Sequence, residues 1–221
     1  MDAHRHRGNS IAARDEAILD AVSEGLRRYG PRKLTAQDVA DTAGISRMTL
    51  YRAMGSMDNA ILLALTREFS RAVAELRAGL PDTDGAARLA VFLGAGARVF
   101  VESELIASVL AHQPELVEPY LSGRLGRSQE IVLAAIEQLI AEGRADGSVP
   151  DHAPSALTLL LLVRGVALGA PLMHSTTDFM RACAELTDTI AAALGARPLG
   201  SMLLDESLPD AALTPSEATH T

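Results

Sequence analysis

The chain has 221 residues, of which 48% are hydrophobic and 22% charged, with a formal net charge of −8. That length allows one or two domains with a sizeable core, and the charge shows that the chain as a whole is no polycation. Residues 1–60 carry nine Lys and Arg against eight Asp and Glu, a net of +1, whereas residues 61–221 carry eleven against twenty, a net of −9. We therefore expect only the N-terminal part to meet an anionic partner.

The cysteine content and the hydropathy of the chain indicate in which cellular compartment the protein is expected. Cys183 is the only cysteine, so no intrachain disulfide can form and a reducing, cytoplasmic location is expected. The polar N-terminus lacks the apolar run of a secretory signal. Residues 156–173 are apolar over about one membrane span, but Arg164 would place a charge at mid-span. The sequence therefore predicts a buried helix there, with a membrane span as the alternative, and no membrane partner.

Hydrophobic residues recur with helical spacing along most of the chain, and no alternating strand pattern or βαβ rhythm is present. The first helix is predicted over 10–29, where Gly30-Pro31 stops it. Thr35 and Asp38 fit a capping box at the start of a second helix, which ends before Gly44. The sequence predicts an all-α fold with helices at 10–29, 35–43, 46–54, 56–79, 86–101, 103–111, 115–122, 124–145, 154–173 and 176–195.

The two ends of the chain are polar. Residues 1–9 contain His4, Arg5, His6 and Arg7, which predict a flexible basic arm able to lie along a DNA backbone or in its minor groove. The two histidines alone are weak evidence for a metal, and neither a metal nor a cofactor is expected. Residues 197–221 are rich in Pro, Ser, Thr and acids, so a flexible tail is expected, although its Met202–Leu204 patch could dock on the body.

The short predicted helix after Gly44 has two distinct faces. Leu50 and Met54 lie four residues apart and share the face that packs inward. The other side carries the side chains of Arg47, Met48, Tyr51 and Arg52. Guanidinium groups bond to guanine edges or phosphates, and a Tyr hydroxyl bonds to phosphate. Two short helices joined by a glycine-containing turn therefore predict a helix-turn-helix that enters the major groove of double-stranded DNA.

Two stretches, LTAQDVADTAGIS (34–46) and MTLYRAMGSMDNAIL (48–62), resemble the DNA-binding domain of the tetracycline-repressor (TetR) family of transcriptional regulators. The resemblance implies a helix-turn-helix domain at 10–57 and a helical effector-binding and dimerisation domain at 58–196. The DNA-contacting residues expected from the helix faces and the resemblance together are Thr35, Gln37, Ser46, Arg47, Met48, Thr49, Tyr51 and Arg52.

The sequence also departs from the family pattern. Met48 stands where the family has a small residue, Ala53 where it has His or Tyr, and Met54 where it has Phe. Met57 stands in place of a lysine, and Asn59 stands in place of a glutamate. The missing lysine removes one cation that would contact phosphate, which lowers the salt dependence of binding by about one unit. Met57 and Ala53 motivate an alternative function, in which a ligand-binding helical protein retains a weakened or non-functional DNA-binding domain.

The second helical block is expected to bind a small effector. Arg164 lies in an apolar run and needs a partner, either an acid such as Glu102, Glu104 or Glu137 or an anionic effector. With four Phe, three Tyr and no Trp in the chain, a pocket would be lined mainly by aliphatic groups and suit an apolar or amphipathic ligand. The candidate pocket residues, each of which is otherwise a core residue, are Phe92, Phe100, His112, Tyr120, Arg164 and Met173.

The last two predicted helices indicate a homodimer interface. Apolar residues recur at helical spacing from Phe179 to Leu194, and Gly165 and Gly169 allow close approach. Burial within one subunit is the alternative, but paired recognition helices are needed to span a palindromic operator. The expected interface residues are Leu160, Gly165, Gly169, Phe179, Cys183, Leu186, Ile190 and Leu194. In this interpretation Cys183 is a buried packing residue.

The function predicted from these features is a DNA-binding transcriptional regulator, most simply a homodimeric repressor that a small effector releases from its operator. An enzyme is the rival class. The sequence shows no metal-ligand cluster, no phosphate-binding glycine loop and no catalytic triad, and therefore no catalytic residue is assigned.

Overall fold

A computed structural model describes the backbone of residues 2–122 and 125–204, and the side chains of residues 11–118, 125–201 and 203. Over these ranges the chain forms helices and no strand, which confirms the all-α fold class. A short 3-10 turn, Ala170–Leu172, follows the ninth α-helix. The helices are α1 (Asp2–Tyr29), α2 (Ala36–Thr42), α3 (Arg47–Met54), α4 (Met57–Ala78), α5 (Gly85–Glu102), α6 (Glu104–His112), α7 (Pro114–Ser122), α8 (Arg127–Ala145), α9 (Ala156–Gly169), α10 (Thr176–Ala193) and α11 (Ser201–Leu204).

Two boundaries differ from the sequence prediction for identifiable reasons. The backbone of residues 2–9 continues α1 instead of forming a flexible arm, because the stretch has no proline and one glycine, Gly8, does not stop a helix. The side chains of His4 to Arg7 lie outside the described residues. At the other boundary, α9 ends at Gly169 rather than at residue 173, since Pro171 cannot donate the next helical hydrogen bond.

The chain divides into two compact units, and the division differs from the predicted boundary after residue 57. Unit 1 contains the residues up to Glu68 together with α6 and α7, whereas unit 2 contains Phe69–Ser103 and the chain from Arg127 onward. The sequence prediction assigned α6 and α7 to the second domain. They join unit 1 because Leu105 and Val109 are buried in its hydrophobic core.

The core of unit 1 holds α2 and α3 against α1. Ile18, Val22 and Leu26 form one stripe of α1 and are fully buried against residues of α2, α3 and α4. At the edge of this core, the Arg67 guanidinium of α4 pairs with Glu16 at 3.0 Å and Asp20 at 2.9 Å on α1. Burial of the apolar stripe, at about 25 cal/mol per Å², is the main force that positions the two short helices.

Unit 2 is organised around α5, which packs against α8, α9 and α10 and is buried along most of its length. Close approach between α5 and α10 depends on Gly94, because a Cβ there would overlap the Thr187 hydroxyl. Thr187 is fully buried and donates its hydroxyl to the Cys183 carbonyl at 3.0 Å. The apolar face of α10 is therefore covered by α5 of the same chain.

Residues 197–204 form part of this unit instead of a flexible tail. The Leu199 and Gly200 N–H groups both donate to Asp188 Oδ1 at 2.6 Å, and the Leu203 side chain on α11 is buried in the core. Of the Met202–Leu204 patch, Leu203 thus docks on the body of the protein, which was the alternative to a flexible tail. The rest of the predicted tail, residues 205–221, lies outside the described residues.

Among the described helices, none is both long enough and apolar enough to cross a membrane.

Candidate DNA-binding surface

Local signals at both ends fix the helix-turn-helix. The Thr35 hydroxyl accepts the Asp38 N–H at 3.2 Å and the Asp38 carboxylate accepts the Thr35 N–H at 2.9 Å, which completes the predicted capping box. Gly44 in the turn has φ +65°, in the left-handed region that favours glycine. The Ser46 hydroxyl then accepts the Thr49 N–H at 3.1 Å and starts α3. The turn geometry is therefore encoded by residues within the turn itself.

The hydrogen bonds of the capping box also affect the ionisation of Asp38. The Thr35 side chain and then the Thr35 backbone N–H donate to this carboxylate, and both hold the pKa of Asp38 below its ordinary value of 3.8. The carboxylate that caps α2 therefore stays charged to a lower pH than an ordinary aspartate.

The rotation of α3 about its axis is set by two buried side chains. Leu50 and Met54 are 1% and 4% exposed and belong to the unit 1 core. Arg47, Met48, Tyr51 and Arg52 are exposed on the part of the helix that faces away from this core. We call these four residues the α3 face. It presents two cations, a phenol and a thioether to the outside, as the two-faced sequence pattern predicts.

A residue outside the predicted set fixes the C-terminal end of α3. The Asn59 side-chain amide donates to the Met54 carbonyl at 2.7 Å, and its backbone N–H donates to the Ser56 hydroxyl at 3.1 Å. Gly55 between them has φ +78°. Asn59 therefore joins the start of α4 to the end of α3. The Gly-Ser pair followed by an asparagine is the sequence signal for this role, although the resemblance marked Asn59 only as a departure.

The other predicted contact residues differ in how free their polar groups are. Gln37 is exposed, but its amide donates to Asp41 Oδ1 at 2.7 Å. Thr49 is half-buried and its hydroxyl shares a 2.9 Å hydrogen bond with Ser46 Oγ. Thr35 and Ser46 are exposed, and both hydroxyls are used as helix caps. The unconstrained polar and apolar groups are thus concentrated on the α3 face.

Two departures from the family pattern are packing residues. Ala53 and Met57 are half-buried and lie against the unit 1 core. An apolar Met57 stabilises the start of α4 by contact with that core but supplies no cation. The folded protein therefore presents no positive charge at position 57, where the family pattern has a lysine.

The predicted pocket residues do not gather in one unit. His112 is exposed on α6 in unit 1, whereas Phe92, Phe100 and Met173 belong to unit 2, where Phe92 is fully buried as a core residue. The Phe100 ring lies 6.0 Å from the Phe69 ring, centroid to centroid. The backbone of Tyr120 is in α7, but its side chain lies outside the described residues.

Arg164, the arginine of the predicted pocket, is half-buried on α9. Of the acids considered as its partners, Glu102 bonds the Arg98 guanidinium at 2.9 Å and Glu137 is exposed. The ligand-binding role of Arg164 stays a prediction.

Most of the predicted dimer-interface residues are buried inside a single chain, and their part in a dimer stays a prediction. The helical spacing on α10 was correct, but this stripe faces α5 of the same chain. Gly165 is exposed and Gly169 half-buried. The buried residues of the predicted set are Leu160, Phe179, Cys183, Leu186, Ile190 and Leu194.

A different apolar surface, on α9 and the turn after it, is exposed. Its residues recur at helical spacing around Gly165, where a Cβ would meet no atom within 4 Å. Leu172, at 84% exposure, is the most exposed large apolar side chain among the described residues. We call this surface the α9 stripe; it consists of Leu157, Leu161, Leu162, Gly165, Leu168 and Leu172.

Burial also determines the chemistry of the single cysteine. Desolvation, followed by the nearby negative charge of Glu102, raises the pKa of the Cys183 thiol to about 11. At neutral pH the thiol is therefore protonated and buried, in keeping with a packing role. Within the described residues, no group of three or more His, Cys, Asp or Glu side chains is placed to hold a metal ion.

Comparison with known proteins identifies both the fold and the relatives in sequence. The chain is 29% identical to an uncharacterised HTH-type transcriptional regulator of Mycobacterium bovis over 175 residues, 78% of this chain and 90% of the relative. A similar regulator of Mycobacterium tuberculosis is 26% identical over the same length. No family model matches the chain.

Solved structures of similar fold include the R. erythropolis transcriptional repressor QsdR from the TetR family. Its TM-score is 0.63 at 19% identity, and the match covers 84% of this chain and 96% of that chain. The TetR-family repressor AlkX from Dietzia sp. matches with a TM-score of 0.59 at 19% identity, over 82% of this chain and 95% of that chain. The predicted resemblance is therefore confirmed: the chain has the fold of the TetR-family transcriptional regulators, and its relatives in sequence are HTH-type transcriptional regulators.

Proposed function

We propose that the protein is a DNA-binding transcriptional regulator that acts as a homodimeric repressor and leaves its operator when a small effector binds. The observation that carries this proposal is the α3 face, where Arg47, Met48, Tyr51 and Arg52 are exposed while Leu50 and Met54 anchor the helix from behind. The N-terminal residues of the second helix in a helix-turn-helix are the ones that reach base edges.

Each polar side chain of this face has a defined task in the proposal. The guanidinium groups of Arg47 and Arg52 bond to guanine edges or bridge phosphates, and the Tyr51 hydroxyl bonds to a phosphate. Thr35 and Ser46 cap the N-termini of α2 and α3, and in the proposal these two N-termini face the sugar-phosphate backbone. The acidic remainder of the chain confines DNA binding to this part of the molecule.

We propose that a second copy of the chain covers the α9 stripe. Large leucines on one exposed helix face cost free energy in water, and a twofold interface lets the same stripe pack against itself. Gly165 in the middle of the stripe lets two helix backbones approach closely. This surface replaces the predicted α10 stripe, and it supplies the pairing that a palindromic operator requires.

The repressor assignment is supported by the names of the two solved structures of similar fold, both of which are repressors. In the proposed mechanism, DNA holds the two recognition helices of the dimer about one helical turn of DNA apart. An apolar or amphipathic effector releases the operator only if it binds more tightly to a state with a different spacing. The aliphatic composition of unit 2 suits such an effector.

The direct test is binding of the full chain to the DNA upstream of its own gene and to random DNA, at several salt concentrations. We expect specific binding to exceed random binding by at least about a thousandfold and to weaken steeply with salt. A ratio near one would overturn the proposal. That outcome would support the alternative, a ligand-binding helical protein without a functional DNA-binding domain, which the packed, uncharged Met57 favours.

A further inference from the structure

Met48 has an exposure that packing does not explain. Its side chain is 69% exposed, the highest value among large apolar residues of the described chain after Leu172. It occupies the second position of α3, directly after Arg47. Leu50 and Met54 hold the buried face of the helix in the unit 1 core, and Met48 is not part of that core.

The surroundings of Met48 are suited to a polyanion. Tyr51 and Arg52 follow three and four residues later, so both share the helix surface with Met48, and all three side chains are exposed. Arg47 begins the same face. An apolar group among two cations and a phenol contributes nothing to electrostatic attraction. It contributes to affinity only if the bound polyanion presents an apolar group to it.

Duplex DNA presents one such group in its major groove. Guanine, adenine and cytosine offer hydrogen-bond donors and acceptors there, whereas thymine adds a 5-methyl group. A thioether donates no hydrogen bond and accepts only weakly, so the polar edges of the other bases offer Met48 little. Its unbranched, flexible chain reaches further than the small side chains that also contact this methyl group.

We infer that Met48 contacts the 5-methyl group of a thymine in the major groove and so sets the base preference at one position of each half-site. This inference rests on the proposed DNA-binding function and deepens it, because it assigns the apolar part of sequence recognition to one side chain. Arg47, Tyr51 and Arg52 supply the polar contacts around it.

Methyl deletion in the DNA tests this contact. The preferred operator is first selected from a random duplex library with the full chain. Each thymine is then replaced by deoxyuridine, which retains base pairing and removes only the methyl group. We expect one position per half-site to weaken binding about fourfold, the equivalent of about 0.8 kcal/mol for one buried methyl group. The Met48→Gln variant should show no loss at that position, whereas the wild type and Met48→Leu should.

The outcomes separate this inference from the proposed function. If the wild type selects an operator but responds to deoxyuridine as Met48→Gln does at every position, the inference is overturned and sequence-specific DNA binding stands. If the wild type selects no sequence at all, both are overturned. Because Met48 is exposed, all three proteins should unfold at the same denaturant concentration, so differences in DNA binding report on contact rather than folding.

Discussion

Leu50 and Tyr51 are consecutive in the sequence but belong to different faces of α3, about 100° apart around its axis, with exposures of 1% and 39%. The first is packed among residues of α1, α2 and α4, and the second is exposed on the same helix as Arg47 and Arg52. One helical position thus separates a side chain that holds the helix in place from one that is free to meet a partner. The first two predictions below use this separation.

Replacing Arg52 with Ala should weaken operator binding without affecting folding. Loss of one phosphate contact lowers the slope of log K against log salt by about one unit, and affinity should fall roughly tenfold. Fluorescence anisotropy titrations at four or more salt concentrations measure both quantities. Arg144→Ala, which removes an exposed arginine on α8 in unit 2, is the matched control and should match the wild type. An unchanged slope for Arg52→Ala would remove this residue from the interface.

Replacing Leu50 with Ala should destabilise the protein instead. Truncating a fully buried leucine costs about 2–5 kcal/mol, because the cavity closes only in part. Urea denaturation followed by circular dichroism measures the change in the free energy of unfolding. Leu63→Ala truncates an exposed leucine of α4 and should cost less than about 1 kcal/mol. Equal losses for the two variants would contradict the assignment of Leu50 as the anchor of α3.

Replacing Leu161 with Glu should reduce self-association. The charge would be buried without a partner if a second copy covers the α9 stripe, and the association constant should fall at least about tenfold. Light scattering coupled to size-exclusion chromatography over a range of concentrations measures it. Leu63→Glu places the same charge on an exposed leucine outside the stripe and should leave association unchanged. A dimer unaffected by Leu161→Glu must use another surface.

The acid limb of the stability curve should depend on Asp38. Hydrogen bonds from Thr35 lower its pKa in the folded state, so its contribution to stability is complete above the ordinary value of 3.8. That contribution is lost as the pH falls from there through the lower folded value. Asp38→Asn and Thr35→Ala should therefore each flatten the dependence of unfolding free energy on pH below about 4. If both variants kept the wild-type dependence of unfolding free energy on pH, the capping box would not be the source of that dependence.

Cys183 should resist alkylation in the native protein. Burial raises its pKa to about 11, so at pH 8 only about one thiol in a thousand is ionised, and α5 shields the sulfur from reagents. Mass spectrometry after iodoacetamide treatment should find slow labelling in buffer and rapid labelling in urea. Labelling at the rate of an unfolded peptide in buffer would mean that α10 opens readily from unit 2.

Much of the fold was predictable because its signals are local. Thr35, Ser46 and the glycines at 44 and 55 fix helix ends through neighbours within five residues, and those ends agree with the structure. The two faces of α3 follow from the same short-range periodicity. That DNA is the partner of the exposed face stays a prediction, to which the fold and the relatives add support.

The predictions that differ from the described packing concern contacts between distant parts of the chain. A stripe such as Phe179 to Leu194 has the same spacing whether α5 or a second subunit covers it, so periodicity alone cannot decide. The α9 stripe carried an equivalent signal but was hidden in a run that is apolar nearly all round. The position of α6 in unit 1 depends on Leu105 and Val109 meeting a core that lies about forty or more residues earlier in the chain.

The return of α6 and α7 to unit 1 has a practical consequence for dissecting the molecule. A headpiece excised at residue 68 would retain the complete helix-turn-helix motif yet lack Leu105 and Val109. The apolar side chains that these residues cover would then be exposed to water, which favours aggregation over refolding. If such a fragment failed to bind DNA, the cause would therefore be the missing core residues of α6 and not a defect in the recognition helix.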